Sequence, residues 1–340
     1  MLTPGDEEPL LMDINEGIQH ALSIGKQEGR FTEDEIQLDK IRLNKLQYIV
    51  NEDRELGLTF GWFKYGPAPE DVTTDTGVEL SPQSGDTIPQ LNESRLPSKD
   101  YLSTKAFAYY FLRELDEEFE RIVTAEETKV YLENFYDEYA PKDEYAARFT
   151  NLYKASVRLQ QTLDEIGDGR DWHQNSTEYY YELDRKFLPV NEEIAKHESL
   201  EHTLEPLEEY RKLLTSIISV ADSEEELSAG QQAFINNVIR KFYNTVWDFV
   251  AQEISLDTMR GENVDKLRPG VEASVKQYRE GSWKAELESI AERRESVGLD
   301  PEIEDLEKLD SGEDEQDDEQ SLDEEMVKHV SQMGAEVINE

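Results

Sequence analysis

The sequence predicts a mostly α protein: a helical N-terminal domain with a small β element, then a long-helix bundle or array, then a disordered acidic tail. Three observations carry that prediction. Apolar residues recur at helical spacing through most of the 340 residues. One aromatic-rich run, Thr59 to Tyr65, has the composition of a strand and stops at Gly66-Pro67, a turn signal. From Asp300 the chain is so acidic and so poor in apolar residues that burial there cannot offset the entropy of ordering.

Taken in order, residues 14–28 form a short helix with Ile14, Ile18, Ala21 and Leu22 inward, ending near Gly29. Thr32 to Glu35 reads as a capping box, a hydroxyl with a carboxylate three residues on, opening a helix to about Glu55 that buries Ile36, Leu38, Ile41, Leu46 and Ile49. The strand follows. Residues 73–99 carry Gly77, Pro82, Gly85, Pro89 and Pro97 with no helical period and read as an irregular loop. Tyr101 to Val123 is a helix with Phe107, Phe111, Leu115 and Phe119 on one stripe, and Thr124 to Glu127 is a second capping box for a helix to Tyr139. Pro141 breaks that helix, and residues 143–166 form the next. The Gly167-Asp168-Gly169 turn marks the expected boundary, giving a domain at 1–166, a helical domain at 170–299 and the tail at 300–340. The second domain holds helices at 176–196, 200–221, 224–255 and 270–297. Its most apolar helix, with Phe234, Phe242, Val246, Trp247 and Phe249, is expected at the centre.

Charge bounds the environment. With 78 acidic against 35 basic residues the formal net charge is −43. Sixteen acidic and two basic residues in Pro301–Glu340 account for −14, which leaves −29 on residues 1–300. Acidity spread over a folded body repels itself at low salt and is screened within a few ångströms at molar salt, where the Debye length is about 3 Å. The expectation is a cytoplasmic protein of a salt-in halophile. A nucleic-acid mimic, the alternative, would gather its carboxylates on one face. The N-terminus carries acidic residues where a secretory signal carries positive charge, and no segment approaches 18 uninterrupted apolar residues, so no membrane partner is expected. The absence of Cys excludes disulfides and thiolate chemistry.

No catalytic constellation stands above background. His197 and Glu201, and Glu198 and His202, are four apart, as a helical metal site requires, but such pairs arise by chance in a chain this acidic, and solvated helix surface is the expected reading. There is no Gly-x4-Gly-Lys-Ser/Thr phosphate loop, no Gly-x-Gly-x-x-Gly and no Gly-x-Ser-x-Gly. Arg170, Asp171 and His173 lack the helical Arg-His spacing of a helical ribonuclease. Three consecutive tyrosines at 179–181 point in different directions on a helix, so core packing with one exposed ring is expected rather than a base-stacking platform. Lys40, Arg42 and Lys45 form the densest basic run, and intramolecular ion pairs are its expected use. No catalytic residue, cofactor or metal is assigned.

Lys40 to Val72, KIRLNKLQYIVNEDRELGLTFGWFKYGPAPEDV, resembles the Panacea-type domain of phage-associated proteins and antitoxins, with Lys45, Leu46, Tyr48, Gly61, Tyr65, Gly66 and Pro67 in that pattern. The resemblance implies a non-catalytic protein-interaction role, typically holding a toxin inactive, with a protein rather than nucleic acid as partner. A nucleic-acid-binding regulator and a hydrolase or nuclease are the alternatives. The expected interaction surface is Trp62, Lys64, Tyr65, Gly66 and Pro67. Strand alternation sends Phe63 and Tyr65 to one face and Trp62 and Lys64 to the other; Trp62 beside Lys64 is the face expected to meet a partner, the alternative being that helices cover both faces and all the rings are core.

Overall fold

The computed structural model describes residues 7–69, 102–125, 127–139, 147–168, 172–223 and 227–299. The irregular loop expected at 73–99, the Gly169 turn and the acidic tail lie outside these residues. As expected, the fold is mostly helical with one small two-stranded sheet. Among the described residues no helix is long and apolar enough to cross a membrane.

Helix α1 (Glu7–Glu28) begins seven residues ahead of the expected start, with Glu7 and Glu8 in its first turn, where the helix dipole favours negative charge. It buries Leu10, Leu11, Ile14, Ile18, Ala21 and Leu22. The Thr32–Glu35 capping box starts no helix. Glu35 does accept from the Thr32 N–H at 2.6 Å and hydroxyl at 2.9 Å, but residues 33–35 close a single turn. Helix α2 (Lys40–Arg54) starts where the Asp39 side chain accepts the Arg42 N–H at 2.8 Å. Strand β1 (Phe60–Phe63) pairs antiparallel with β2 (Gly66–Pro69), Phe60 opposite Pro69 and Phe63 opposite Gly66. The Gly-Pro pair therefore opens a return strand instead of ending the element. Proline is tolerated there because a two-stranded sheet is all edge.

Helix α3 (Thr104–Tyr109) runs into a π-helical turn, Tyr110–Leu115, and Asp116 then takes a left-handed φ of 48° before α4 (Glu117–Thr124). The second capping box also fails. The Thr124 hydroxyl turns back to the Glu120 carbonyl at 2.8 Å, and α5 (Thr128–Glu138) begins at Thr128 with no side-chain cap. Helices α6 (Thr150–Asp168) and α7 (Trp172–Ala195) pack together, with Pro189 inside α7. A 3₁₀ turn, Glu198–Thr203, leads into α8 (Leu204–Ser223). The expected central helix is the run α9 (Ala229–Lys241), a π-helical turn at Phe242–Val246, and α10 (Trp247–Thr258). The wider turn re-aims its apolar stripe, so that Phe242, Val246, Trp247, Phe249 and Val250 are all buried. The expected helix at 270–297 is two, α11 (Val264–Arg279) and α12 (Ser282–Ser296), broken at Gly281 with φ 99°.

One contiguous cluster of buried apolar residues extends from Leu10 to Leu299 and crosses the boundary expected near residue 167. The two halves meet where α6 packs on α7 and again at the hairpin. β1 packs on α10, and Phe60 exchanges backbone hydrogen bonds with Arg260 just beyond that helix, at 2.8 and 2.9 Å. The apolar core therefore does not divide where the turn chemistry suggested.

Candidate functional site

The hairpin was the expected contact surface, and the structure turns it inside out. Trp62 is 3% exposed, with its ring 5.1 Å from that of Tyr153 and 6.0 Å from that of Tyr136. Phe60 lies on the same side, so the inward residues are 60 and 62, while Phe63 packs half-buried against the small cluster of Met259, Val271 and Val275. Five carbonyls around the turn, those of residues 62 to 65 and of residue 67, accept from side chains on helices. Tyr153 of α6 donates to the carbonyls of Trp62 (2.9 Å) and Phe63 (2.7 Å), and the Trp247 indole of α10 donates to that of Lys64 (2.8 Å). Lys45 of α2 donates to the carbonyls of Tyr65 and Pro67, the latter at 3.1 Å. The Trp62 N–H donates to the Thr258 hydroxyl at 3.1 Å. Pairing these backbone groups is what lets a turn sit inside a core.

Gly66 and Pro67 serve this packing. Gly66 takes φ 81°, and a Cβ there would lie 2.8 Å from the Tyr136 ring and 3.1 Å from Lys45 Nζ. Among Trp62, Lys64, Tyr65, Gly66 and Pro67, only Lys64 and Tyr65 reach the surface. Lys64 Nζ lies over the rings of Tyr65 (5.7 Å) and Tyr243 (5.3 Å) and donates to the Asn244 side chain at 2.7 Å. Burial lowers the Lys64 pKa and raises that of Tyr65. Of the five residues expected to meet a partner, Trp62, Gly66 and Pro67 are thus internal, and the remaining two are largely engaged within the chain.

Two of the three residues of the basic run on α2, Arg42 and Lys45, are also internal, while Lys40 is exposed. Arg42 pairs with Asp39 at 3.1 Å, as expected, and donates to the Ala125 carbonyl at 2.6 Å. Lys45 departs from the expectation: it is 1% exposed, its bonded partners are carbonyls rather than carboxylates, and burial holds its pKa well below the usual lysine range.

The histidine cluster does not assemble. Residues 198–203 form a 3₁₀ turn, in which positions four apart diverge by about 120°, so the spacing that suits an α-helical metal site is lost. The His197 ring lies 4.6 Å from that of Phe149, tilted by 51°, and burial and Arg148 lower its pKa. His202 Nε2 instead meets Glu253 of α10 at 2.5 Å. Glu253, buried, also takes two bonds of 2.6 Å from Arg279 of α11. Both of its oxygens are engaged, which leaves a lock between three elements rather than a free base. Among the described residues no group of three or more His, Asp or Glu side chains is placed to hold a metal.

Two features outside these motifs remain. A cleft of about 210 Å³ between α6 and α7 is lined by Asn151, Lys154, Arg158, Lys186, Pro189 and Glu193. Its cations are largely committed, Lys154 to Asp137 at 2.5 Å and Arg158 to Glu133 at 2.8 Å. On α7, away from the buried stripe of Leu183, Phe187, Val190 and Ile194, stand Tyr181 at 68% and Leu188 at 56% exposure. The tyrosine run was expected to leave one exposed ring, and Tyr181 is the exposed one. Leu188 went unread, although it lies seven residues from Tyr181, on the same side of the helix.

No curated protein and no solved structure matches the chain. The Panacea-type resemblance is overturned, since no such domain is found in the chain. The residues that suggested it are accounted for by packing: Lys45 caps the hairpin carbonyls, Gly66 supplies its positive φ, and Tyr65 and Pro67 flank the turn. The match that is found begins at residue 68, inside β2, and takes in both halves of the core: over residues 68–333 the chain belongs to the family described as a domain of unknown function, DUF8098.

Proposed function

We propose that the protein works by binding another protein chain, not by catalysing a reaction, and that the outer face of α7 is its contact surface. One observation carries the reading. Of the large apolar side chains left exposed among the described residues, Met12, Leu102, Val130, Tyr181 and Leu188 chief among them, Tyr181 and Leu188 share one helix and one face. Apolar residues scattered singly over a surface need no explanation, whereas paired ones on a regular element are what helix recognition uses. Tyrosine adds a large, stiff contact area at small entropic cost.

The charge distribution supports a setting for this binding. A net −29 on residues 1–300 suits a salt-rich cytoplasm, where screening suppresses repulsion between acidic surfaces and leaves apolar contact as the main attraction. The test is affinity purification of the full chain from its native cells, wild type against the Tyr181→Ser/Leu188→Ser variant. A companion held in stoichiometric amount by wild type and lost by an equally helical variant is the expected result. Identical companions for both would reject the α7 surface.

A further inference from the structure

The exposed strip of α7 is longer than its two apolar residues, and its order carries information. Asp184 and Arg185 lie between Tyr181 and Leu188, with side-chain exposures of 59% and 74%. Positions 181, 184, 185 and 188 follow the i, i+3, i+4, i+7 spacing that places four residues on one helix stripe. The strip therefore reads apolar, acid, base, apolar.

This order is self-complementary under one operation. A two-fold axis crossing the helix between residues 184 and 185 lays a second α7 antiparallel on the first. Tyr181 then meets the partner's Leu188, and Leu188 meets the partner's Tyr181. The same axis sets Asp184 against the partner's Arg185 and Arg185 against the partner's Asp184. An isologous interface has this property: if residue i contacts j, then j contacts i. The intramolecular bonds leave both charges able to take part. Asp184 holds Arg211 through Oδ1 at 2.8 Å, which leaves Oδ2 without a bond among the described residues, and among those residues Arg185 pairs with Glu182 alone, at 4.0 Å.

We propose that the partner of the α7 face is a second copy of this chain, joined through antiparallel α7 pairing with Tyr181–Leu188 and Asp184–Arg185 contacts made twice. This rests on the reading of α7 as the contact surface and narrows it to one occupant. One helix pair buries less than the roughly 1,200 Å² of a stable interface, so the dimer belongs to the weak class. Two bodies of −43 also repel at long range. At about 1 M KCl the Debye length falls to about 3 Å, which removes that repulsion while groups in direct contact still interact. The dimer is therefore strengthened by salt, the opposite of what an association driven by long-range attraction shows.

The experiment is sedimentation equilibrium of the full chain in 1 M KCl, with circular dichroism at the same salt as the check on folding. Wild type is expected to show a monomer–dimer equilibrium. Arg185→Asp alone and Asp184→Arg alone each set like charges face to face twice, and each should weaken the dimer about tenfold or more. Mixed in equal amounts, these two variants regain opposite charges at both contacts and should form a heterodimer of near wild-type strength. Arg185→Asp leaves the Arg211 bond untouched, so its result stands even if Asp184→Arg folds poorly. A wild-type chain that stays monomeric at high protein concentration, single variants that dimerise like wild type, or a mixture that does not recover overturns the proposal. If wild type is monomeric while Tyr181→Ser/Leu188→Ser still loses a different companion, the contact surface stands and only the second copy is excluded.

Discussion

Lys45 shows how far a single residue departs from what its neighbours in sequence suggest. It stands in a basic run beside acidic residues, the pattern of a surface ion pair, yet its amine lies 5.2 Å over the Phe135 ring and donates to two carbonyls of the hairpin. A cation is costly in such a place, which is why its pKa falls. The folded chain then binds fewer protons than the unfolded chain between the depressed pKa and the ordinary lysine value near 10.4, so stability rises with pH across that window and is lost again as pH falls through the folded pKa. Lys45→Met should abolish that slope. It also leaves the carbonyls of Tyr65 and Pro67 without a donor, a cost of about 1–3 kcal/mol that shows in full near pH 10 and is offset toward pH 7 by removal of the buried amine's own penalty. Urea denaturation of both chains at several pH values between 7 and 10 measures both effects. An unchanged slope in the variant would show that another group titrates there.

The hairpin sets the lesson at the scale of elements. Gly66→Ala combines a left-handed backbone with a Cβ 2.8 Å from the Tyr136 ring, whereas Gly29→Ala, at φ 74°, meets nothing within 4 Å. The second substitution should cost only the conformational penalty, about 1–2 kcal/mol, and the first at least about 1–3 kcal/mol more from overpacking. Equal unfolding midpoints for the two variants would mean that the hairpin is not wedged in the core as described. The strand itself was legible, because aromatic residues ahead of a Gly-Pro turn have few other uses. Which side of it faced inward was not. Alternation fixes that residues 60 and 62 share a side, but the choice of side was made by Tyr153, Trp247 and Thr258, between 91 and 196 residues away in sequence. The failed capping boxes have a related cause. Thr32–Glu35 makes one of the two bonds of a capping box, the Thr32 N–H to the Glu35 carboxylate, while the Thr32 hydroxyl donates to that same carboxylate, and Asp39 caps the helix that forms. The metal spacing at 197–202 assumed α geometry where the chain makes a 3₁₀ turn.

Across the whole molecule, the balance between attraction and repulsion decides stability. Arginines bind carboxylates over much of the surface, Arg30 to Asp116 and Glu120, Arg113 to Glu28, Arg211 to Asp184 and Glu208. Each exposed pair contributes only about 0–1 kcal/mol. Acidic residues outnumber basic ones by more than two to one, so cations are too few to pair the carboxylates one to one. Salt weakens both the pairs and the repulsion, and with −29 on residues 1–300 the repulsion is the larger sum. Raising KCl from about 0.1 M to 3 M should therefore raise the thermal midpoint of the full chain, and also that of a chain ending at Leu299, a residue that is fully buried and closes the described core. The shorter chain isolates the body from the tail, since it lacks Asp300 and the −14 of residues 301–340. A midpoint that rises for the full chain and stays flat for the shorter one would place the salt response in the tail. A midpoint that is flat for both would show that the acidity of this protein is not an adaptation to salt.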